Sequence, residues 1–358
     1  MAGSPVTVKG FPSSTPGGGH SVVPFDKRAR EQEGAPGAPE GSEMAENERL
    51  ALEVVDVRYS YGKSRAVDGV SFNIRPGEVF GLLGPNGAGK TTTIAMISGL
   101  LPPESGQVLL FGKEPSDRTG RARARLGVVP QDIALYDELR VRENLLFWGE
   151  LYGLSGVPLK EAVDATLDLV GLTDRAKDRV GILSGGLKRR LNLAVGLVHS
   201  PDLILLDEPT VGIDPQARLR ILDVVRAQAK AGRAVLYTSH YLEEAEQLCD
   251  RLAIIDHGRT LAVGTVEELR RQVGEGPVVQ VRGEVAGDPF KAVVDRCEGV
   301  SLLTSSDGSA SYAARDAAAC SAFVRELFQS GAKLDDLRIH EPNLQSLFLK
   351  LTGRELRD

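Results

Sequence analysis

A glycine-rich octapeptide constrains the fold of this 358-residue chain more than any other feature. Its sequence is Gly84-Pro85-Asn86-Gly87-Ala88-Gly89-Lys90-Thr91. Residues 79–83 before it have the apolar character and length of a strand, and residues 91–97 after it can begin a helix. Glycines let the backbone curl so that successive N–H groups point at phosphate oxygens, and a helix N-terminus adds its positive dipole end. The pattern predicts a phosphate-binding loop in an α/β domain.

The end of the octapeptide carries side chains with specific roles in such a loop. Lys90 is expected to reach the β and γ phosphates of a bound nucleotide, and the hydroxyl of Thr91 is placed to ligate Mg²⁺. We include Thr92, the next residue, among the nucleotide-binding candidates.

Two adjacent carboxylates follow a second apolar segment. Residues 203–206 are all aliphatic, which predicts a strand buried on both faces, and Asp207 and Glu208 come directly after them. Ligands of open α/β sheets collect at the carboxyl edge, where these side chains would emerge. Asp207 is therefore the expected partner of Mg²⁺, and Glu208 is positioned to polarise the water that attacks the γ phosphate.

A third string, Leu183-Ser184-Gly185-Gly186, lies shortly before that strand. With all three motifs in this order, residues from about Leu50 to Gly264 resemble the ATP-binding subunit of ABC transporters. The resemblance implies a P-loop NTPase cassette of the α/β class, with a mixed core sheet and helices, an antiparallel β subdomain and a helical subdomain at about 132–183. It implies ATP and Mg²⁺ as ligands and ATP hydrolysis as the reaction.

The resemblance assigns roles to four further residues. Tyr61 matches the aromatic residue that stacks on adenine, although Tyr59, on the same face of the strand, is an alternative. Gln131 matches the loop glutamine that touches Mg²⁺ or the attacking water and senses the membrane partner. Asp214 matches the loop carboxylate at the dimer seam. His240 matches the switch histidine that contacts the γ phosphate, which together with Glu208 and Gln131 completes the predicted catalytic set.

In one cassette, Ser184, Gly185 and Gly186 would lie too far from Lys90 to contact the same ATP. The resemblance implies that they start a helix whose N-terminal amides meet the γ phosphate held by a second ATP-binding subunit. ATP would then hold the dimer closed, and hydrolysis would reopen it. Leu187 stands where the family often has glutamine, which removes one polar contact near the nucleotide.

Lys188, Arg189 and Arg190 follow this string directly. They could add positive potential near the triphosphate, or they could form a solvated basic turn. The sequence leaves both alternatives open.

Composition limits the classes of function. The chain is 42% hydrophobic and 26% charged, enough for one sizeable α/β core and a small second domain. No segment approaches the ~18 to 20 consecutive apolar residues of a membrane-spanning helix, so an integral membrane permease would be a separate polypeptide. The net charge of −6 argues against a general nucleic-acid binder. The widely spaced Cys249, Cys297 and Cys320 form no metal or redox pattern and are expected to be free thiols.

The pattern divides the chain into three parts. Residues 1–48 are rich in Gly, Pro and Ser and are expected to be disordered, with Met44 as a candidate alternative start. Residues 49–272 form the cassette. Residues 273–358 form a C-terminal α+β domain with the predicted order βαββαβ, its first helix near 290–297. Its last segment, 341–354, resembles the tail of type-2 ABC exporter subunits, and we expect a regulatory or dimer-stabilising role.

Two segments between the phosphate loop and Ser184, at 141–148 and 159–167, have apolar residues at helical spacing. The resemblance implies that this helical subdomain receives a cytoplasmic helix of the permease. Trp148 could line that groove, but core packing is the usual role of such an aromatic residue.

The sequence favours an ATPase subunit that powers export by a separate permease, located at the cytoplasmic face of the membrane, with a homodimer permitted because both halves of the site are intact. The alternative is an ABC ATPase that remodels a ribosome, DNA or protein complex. One phosphate loop, one Ser184 segment and no heptad array favour the exporter.

Overall fold

The computed structural model describes residues 50–116, 119–283, 293–306, 308–331 and 333–353. The predictions for the N-terminal tail, for Met44 and for the first three residues of the helix at 290–297 lie outside these residues. A helical turn at 293–296 is the described part of that helix.

A six-stranded sheet forms the centre of the cassette, in the order β5-β6-β7-β3-β8-β9. All neighbouring strands are parallel except β9, which runs antiparallel to β8. The strands are β3 (Val79–Leu83), β5 (Leu126–Val129), β6 (Leu203–Asp207), β7 (Ala234–Ser239), β8 (Arg251–Asp256) and β9 (Arg259–Thr265). Every residue of β3, β6 and β7 is buried, as expected for parallel strands covered on both faces.

Alternate residues of each central strand face two separate cores. In β6, Leu203 and Leu205 pack into one core, and Ile204 and Leu206 pack into the other. The first core lies under helix α1 (Lys90–Ile97) and an antiparallel sheet of order β2-β1-β4. The strands of that sheet are β1 (Leu52–Tyr61), β2 (Ser64–Ile74) and β4 (Ser105–Leu110).

The second core is covered by helices from the later part of the chain. These are α5 (Gly185–Leu197), α6 (Pro215–Lys230), α7 (Leu242–Leu248) and α8 (Val266–Arg271). The cassette is thus a sheet with a helical layer on one face and a mixed layer on the other, and the predicted fold class is confirmed.

A helical subdomain is inserted between β5 and α5. A short helix, α2 (Arg121–Ala124), precedes β5, and the subdomain contains α3 (Val141–Leu151) and α4 (Gly156–Leu169). Its apolar residues form their own core, into which the later helix α5 contributes Leu191 and Ala194. Helix α5 therefore belongs to both bodies, since Leu193 and Leu197 pack into the cassette core.

The C-terminal part follows the predicted strand order and forms a four-stranded antiparallel sheet, β11-β12-β10-β13. Its elements are β10 (Val278–Gly283), β11 (Val300–Ser306), β12 (Ser309–Ala314), α9 (Ala317–Gln329) and β13 (Leu334–His340). Helix α9 packs on one face of this sheet through Phe323 and Leu327.

The final helix, α10 (Leu344–Thr352), leaves this sheet and returns to the cassette. Leu344, Leu347 and Phe348 are buried in the same core as α7 and α8. The backbone N–H of Leu344 donates to Glu246 Oε1 at 2.6 Å, and Lys350 Nζ donates to the carbonyl of Gln272 at 2.6 Å. Helix α10 is thus part of the second core of the cassette.

None of the helices that the structure describes is both long enough and apolar enough to cross a membrane.

Candidate functional site

The glycine-rich loop leaves β3 after Leu83 and ends where α1 begins at Lys90. Two of its glycines are required by the geometry. A Cβ on Gly84 would lie 2.3 Å from the carbonyl oxygen of Ile255, and a Cβ on Gly89, at φ 102°, would lie 2.6 Å from that of Ala66. The loop is therefore folded tightly against neighbouring backbone, which only glycine allows at these two positions.

Lys90 is buried, and its ammonium group lies inside the curl of the loop. Nζ donates to the carbonyl oxygens of Gly84 at 2.7 Å and Pro85 at 3.1 Å. It lies 2.9 Å from Glu208 Oε1, an ion pair between two side chains that are each 5% exposed. The loop and the carboxyl end of β6 are thus joined by a buried charge pair.

Asp207 and Glu208 lie at the carboxyl edge of the sheet, where β6 pairs with β7. Asp207 Oδ1 accepts a hydrogen bond from Thr238 Oγ1 at 2.8 Å, and the side chain of Thr91 is close enough to lower the pKa of the Asp207 carboxyl. Burial raises the pKa of Asp207, and the hydrogen bonds of Thr238 and Thr91 partly offset this. Asp207 and the hydroxyl of Thr91 therefore form one oxygen cluster at the end of the phosphate loop.

Glu208 has a left-handed backbone, with φ 45°. This conformation costs a non-glycine residue on the order of 1–3 kcal/mol and is concentrated at functional sites. A hydrogen bond from its N–H to Thr238 Oγ1 at 2.9 Å holds it in place. Burial alone would raise the pKa of Glu208, but the hydrogen bond and charge of Lys90, together with His240, outweigh it and lower the pKa. The carboxylate is thus ionised at neutral pH.

His240 follows β7 directly and is buried beside Glu208, with Nδ1 3.2 Å from Glu208 Oε2. The structure therefore brings five of the predicted residues together at one edge of the sheet. They are Lys90, Thr91, Asp207, Glu208 and His240.

A buried carboxylate that the sequence did not single out lies behind this cluster. Glu244 Oε2 accepts hydrogen bonds from the hydroxyls of Tyr237 at 2.6 Å, Thr210 at 2.8 Å and Ser239 at 3.3 Å. Its other oxygen lies 3.1 Å from Arg218 Nε. The sequence signal was weak, because a glutamate in the acidic segment 243–246 usually indicates a solvated helix face.

Ser184 and Asp214 cap neighbouring helices. Ser184 Oγ accepts from the N–H of Leu187 at 3.4 Å, and Asp214 Oδ1 accepts from that of Ala217 at 2.9 Å. A Cβ on Gly186 would lie 2.8 Å from Ala217 Cβ and 3.2 Å from Asp214 Oδ2, so the two helix starts are in close contact. Within the described residues, no hydrogen bond or ion pair joins the Ser184 segment to the Lys90 loop of the same chain.

The basic triplet after this segment does not form the solvated turn that was one of the two alternatives left open by the sequence. Lys188 forms an ion pair with Asp137 at 2.9 Å. Arg190 donates to the carbonyls of Val170 and Gly171, directly after α4, at 3.2 and 3.4 Å. Arg189 is buried and donates to the carbonyls of Gln131 and Val211. All three side chains bind segments that are distant in sequence, so the sequence alone could not identify their partners.

Tyr61 and Gln131 lie at the surface, outside the buried cluster. Tyr61 is 54% exposed and contacts Tyr59 edge to face, with ring centroids 5.0 Å apart, so either ring can stack on a base. Gln131 is exposed, and its backbone carbonyl is held by Arg189. Thr92 is partly buried in the first turn of α1, next to Thr91.

Known proteins match this chain closely. A family model described as ABC transporter matches residues 67–211. The linearmycin resistance ATP-binding protein LnrL of Bacillus subtilis (strain 168) is 43% identical over 310 residues, covering 86% of this chain and 100% of the relative. The Nod factor export ATP-binding protein I of Paraburkholderia xenovorans (strain LB400) is 42% identical over 314 residues, covering 86% of this chain and 99% of the relative.

Solved structures agree. An ATP-binding subunit of an ABC transporter superposes with a TM-score of 0.58 at 32% identity, covering 62% of this chain and 92% of that one. The cbiO1 protein of Clostridium perfringens, part of the ABC transporter complex cbiONQ, gives a TM-score of 0.57 at 29% identity, covering 63% of this chain and 95% of that one.

Proposed function

This chain belongs to the ATP-binding subunits of ABC transporters, and on that premise we propose that it powers export through a separate membrane-spanning permease. Members of the family bind ATP, hydrolyse it and work with permease partners. The names of two relatives, linearmycin resistance and Nod factor export, support the direction of transport.

The proposed catalytic chemistry depends on the buried pair of Lys90 and Glu208. Lys90 Nζ has three protons, and the carbonyls of Gly84 and Pro85 accept two of them. The third points at Glu208. Phosphate oxygens compete for this third proton, which releases the Glu208 carboxylate to accept a proton from the attacking water. His240, on the other carboxylate oxygen, then orients the base and contacts the γ phosphate.

Mg²⁺ fits the oxygen donors at the end of β6. The Asp207 carboxylate and the Thr91 hydroxyl lie near each other, and oxygen ligands are those that Mg²⁺ prefers. These two residues would hold the ion, with Gln131 as the proposed third ligand from its exposed loop. When bound, Mg²⁺ neutralises phosphate charge.

We propose that the active site is completed by a second copy of the chain. Ser184 and Gly185 are exposed at the start of α5, and the N–H groups of a first helical turn favour an anion. Asp214, in contact with Gly186, would lie at the seam between the subunits. Because one chain carries both the Lys90 loop and the Ser184 segment, two copies can form two complete sites.

The helical subdomain presents the proposed surface for the permease. Tyr136 and Phe147 are exposed and pack edge to face, 4.9 Å apart, and Trp148 lies partly buried beside them. Exposed aromatic side chains of this kind are typical of protein interfaces. A permease at this surface would place the chain at the cytoplasmic face of the membrane.

The observation that carries the proposal is the ionised, buried Glu208 between Lys90 and His240. A Glu208→Gln variant should bind MgATP and stop at the closed dimer, with phosphate release reduced by about 10²–10⁴-fold. Glu267→Gln, at a side chain that is 75% exposed, is the matched control and should keep wild-type turnover. Unchanged phosphate release by Glu208→Gln would refute the assignment of the base.

A disulfide crosslink tests the shared site. Cysteines placed at the exposed Ser184 and Asn86 of the Glu208→Gln variant should crosslink between subunits only with MgATP. The three native cysteines are buried and need not be removed. Monomeric protein under saturating MgATP, with the permease present, would refute the shared site. Purification with a permease would support the exporter, and purification with a ribosome or DNA would support the alternative ATPase.

A further inference from the structure

Arg189 is a buried arginine whose hydrogen bonds go to the backbone of two different loops. Its side chain is 8% exposed. One terminal nitrogen donates to the carbonyl of Gln131, and the other donates to the carbonyl of Val211 at 3.3 Å. A guanidinium group holds its donors in a rigid plane, so it can fix two acceptors relative to each other.

The two carbonyls belong to loops that serve different parts of the site. The Gln131 loop connects β5 of the core sheet to the helical subdomain. Val211 lies in the segment that connects Glu208 to Asp214. Arg189 itself projects from α5, the helix that begins next to Ser184. One side chain therefore joins three segments that the proposed function places around ATP.

Asn192, one turn further along α5, binds the same glutamine loop. It is 1% exposed, its Nδ2 donates to the carbonyl of Pro130 at 3.2 Å, and its Oδ1 accepts from the N–H of Ala134 at 3.0 Å. The loop is thus held on α5 by buried polar contacts to its backbone. Such contacts have strict directions, so the loop must follow the helix when the helix moves.

Burial of Arg189 carries a desolvation cost that neutral carbonyls only partly offset. Burial lowers the pKa of Arg189, and the charges of Asp132 and Glu208 oppose the shift. An apolar residue would fill this position without that cost, which is consistent with a functional reason for the arginine.

We propose that Arg189 is a positioning residue that ties the glutamine loop and the Asp214 loop to the Ser184 helix, so that these three segments move as one unit. This inference rests on the proposed shared site. It predicts that loss of Arg189 impairs closure of the dimer and turnover, whereas ATP binding at the Lys90 loop, which Arg189 does not contact, is retained.

Arg189→Met and Arg190→Met form a matched pair for the test. Both arginines lie on α5 and donate to backbone carbonyls, but the carbonyls bound by Arg190, those of Val170 and Gly171, belong to the helical subdomain alone. We expect kcat of Arg189→Met to fall by about 10–100-fold, the effect of a small misplacement of catalytic groups. Its Kd for MgATP should stay within about twofold, and Arg190→Met should keep wild-type kcat.

Arg189→Lys guards against a variant that does not fold. An ammonium group on a shorter stem can reach one carbonyl but cannot bridge both, so this variant should fold and show an intermediate kcat. In the Glu208→Gln background, Arg189→Met should also weaken the MgATP-induced dimer. Equal kcat in Arg189→Met and Arg190→Met, or wild-type kcat in Arg189→Lys, would overturn the inference. Wild-type protein without MgATP turnover would instead refute the proposed function.

Discussion

Replacing Glu244 by leucine should destabilise the protein strongly, because this buried carboxylate accepts hydrogen bonds from three hydroxyls. After the change, Tyr237 and Thr210 can still share one hydrogen bond, since their oxygens are 3.2 Å apart. One of these two donors and the hydroxyl of Ser239 then lose their acceptor. Each buried unsatisfied donor costs about 1–3 kcal/mol. Arg218 is one-third exposed and can be hydrated, so it adds little.

The expected total loss in the free energy of unfolding is about 3 kcal/mol or more, which corresponds to a fall in Tm of roughly 6–12 °C for a domain of this size. Glu244→Gln keeps one accepting oxygen, so its loss of stability should be about half as large. Thermal unfolding followed by circular dichroism measures both. Turnover should fall as well, because Ser239 precedes His240 and Thr210 follows Glu208 closely.

A double change separates this explanation from simple loss of packing. Tyr237→Phe together with Thr210→Val removes the unsatisfied donor and its hydrogen-bonding neighbour while nearly preserving the shape of the core, so in the Glu244→Leu background it should restore part of the lost stability. In the wild-type background it should destabilise instead. A Tm of Glu244→Leu within about 1 °C of wild type, or a triple variant no more stable than Glu244→Leu alone, would refute the reasoning.

Three further changes test other parts of the structure. Gly84→Ala places a Cβ 2.3 Å from a β8 carbonyl, so fluorescent ATP should bind at least about tenfold more weakly; an unchanged Kd would contradict the fit. Burial lowers the pKa of His199 to about 4, so the unfolded chain binds a proton more readily than the folded one. The free energy of unfolding should therefore fall by on the order of 2–3 kcal/mol as the pH drops from 6.5 toward 4. The dependence of Tm on pH over this range should be weaker in His199→Gln and unchanged in the exposed control His257→Gln. The same dependence of Tm on pH in both variants would contradict this explanation. Phe348→Ala should cost about 3–5 kcal/mol in urea unfolding, whereas the 65% exposed Phe328→Ala should be neutral; similar losses would contradict the packing of α10.

The sequence predicts those parts of the site that are encoded by neighbouring residues. The phosphate loop needs glycines at fixed positions between a strand and a helix, and Asp207 and Glu208 follow an uninterrupted aliphatic strand. Such patterns depend on local backbone geometry, which the chain carries along its own length. Strands β3 and β6 were predictable for the same reason, whereas the rest of the central sheet was implied only by the family resemblance.

Long-range polar contacts could not be predicted from the sequence. Glu244 lies in an acidic segment, and Arg189 lies in a basic one, and both patterns are typical of solvated surfaces. Both side chains are buried because loops distant in sequence supply hydroxyl or carbonyl partners. The packing partner of α10 could not be predicted either, because its apolar stripe shows that the helix packs on a core but does not show on which one.

That last helix also bears on how the C-terminal part should be studied. A truncation at Gly274 would remove Leu344, Leu347 and Phe348 together with the α+β sheet, so any loss of dimerisation would be confounded by an opened cassette core. Substitutions confined to exposed positions of the sheet, such as Ile339, avoid this problem.

The return of α10 also orders events during synthesis. Helix α10 leaves the ribosome after every strand of the central sheet. The nucleotide loop has therefore been synthesised before α10 can cover the apolar surface beside α7 and α8. Until then that surface is open to chaperones or to aggregation. Only after α10 has docked is the second core of the cassette fully covered.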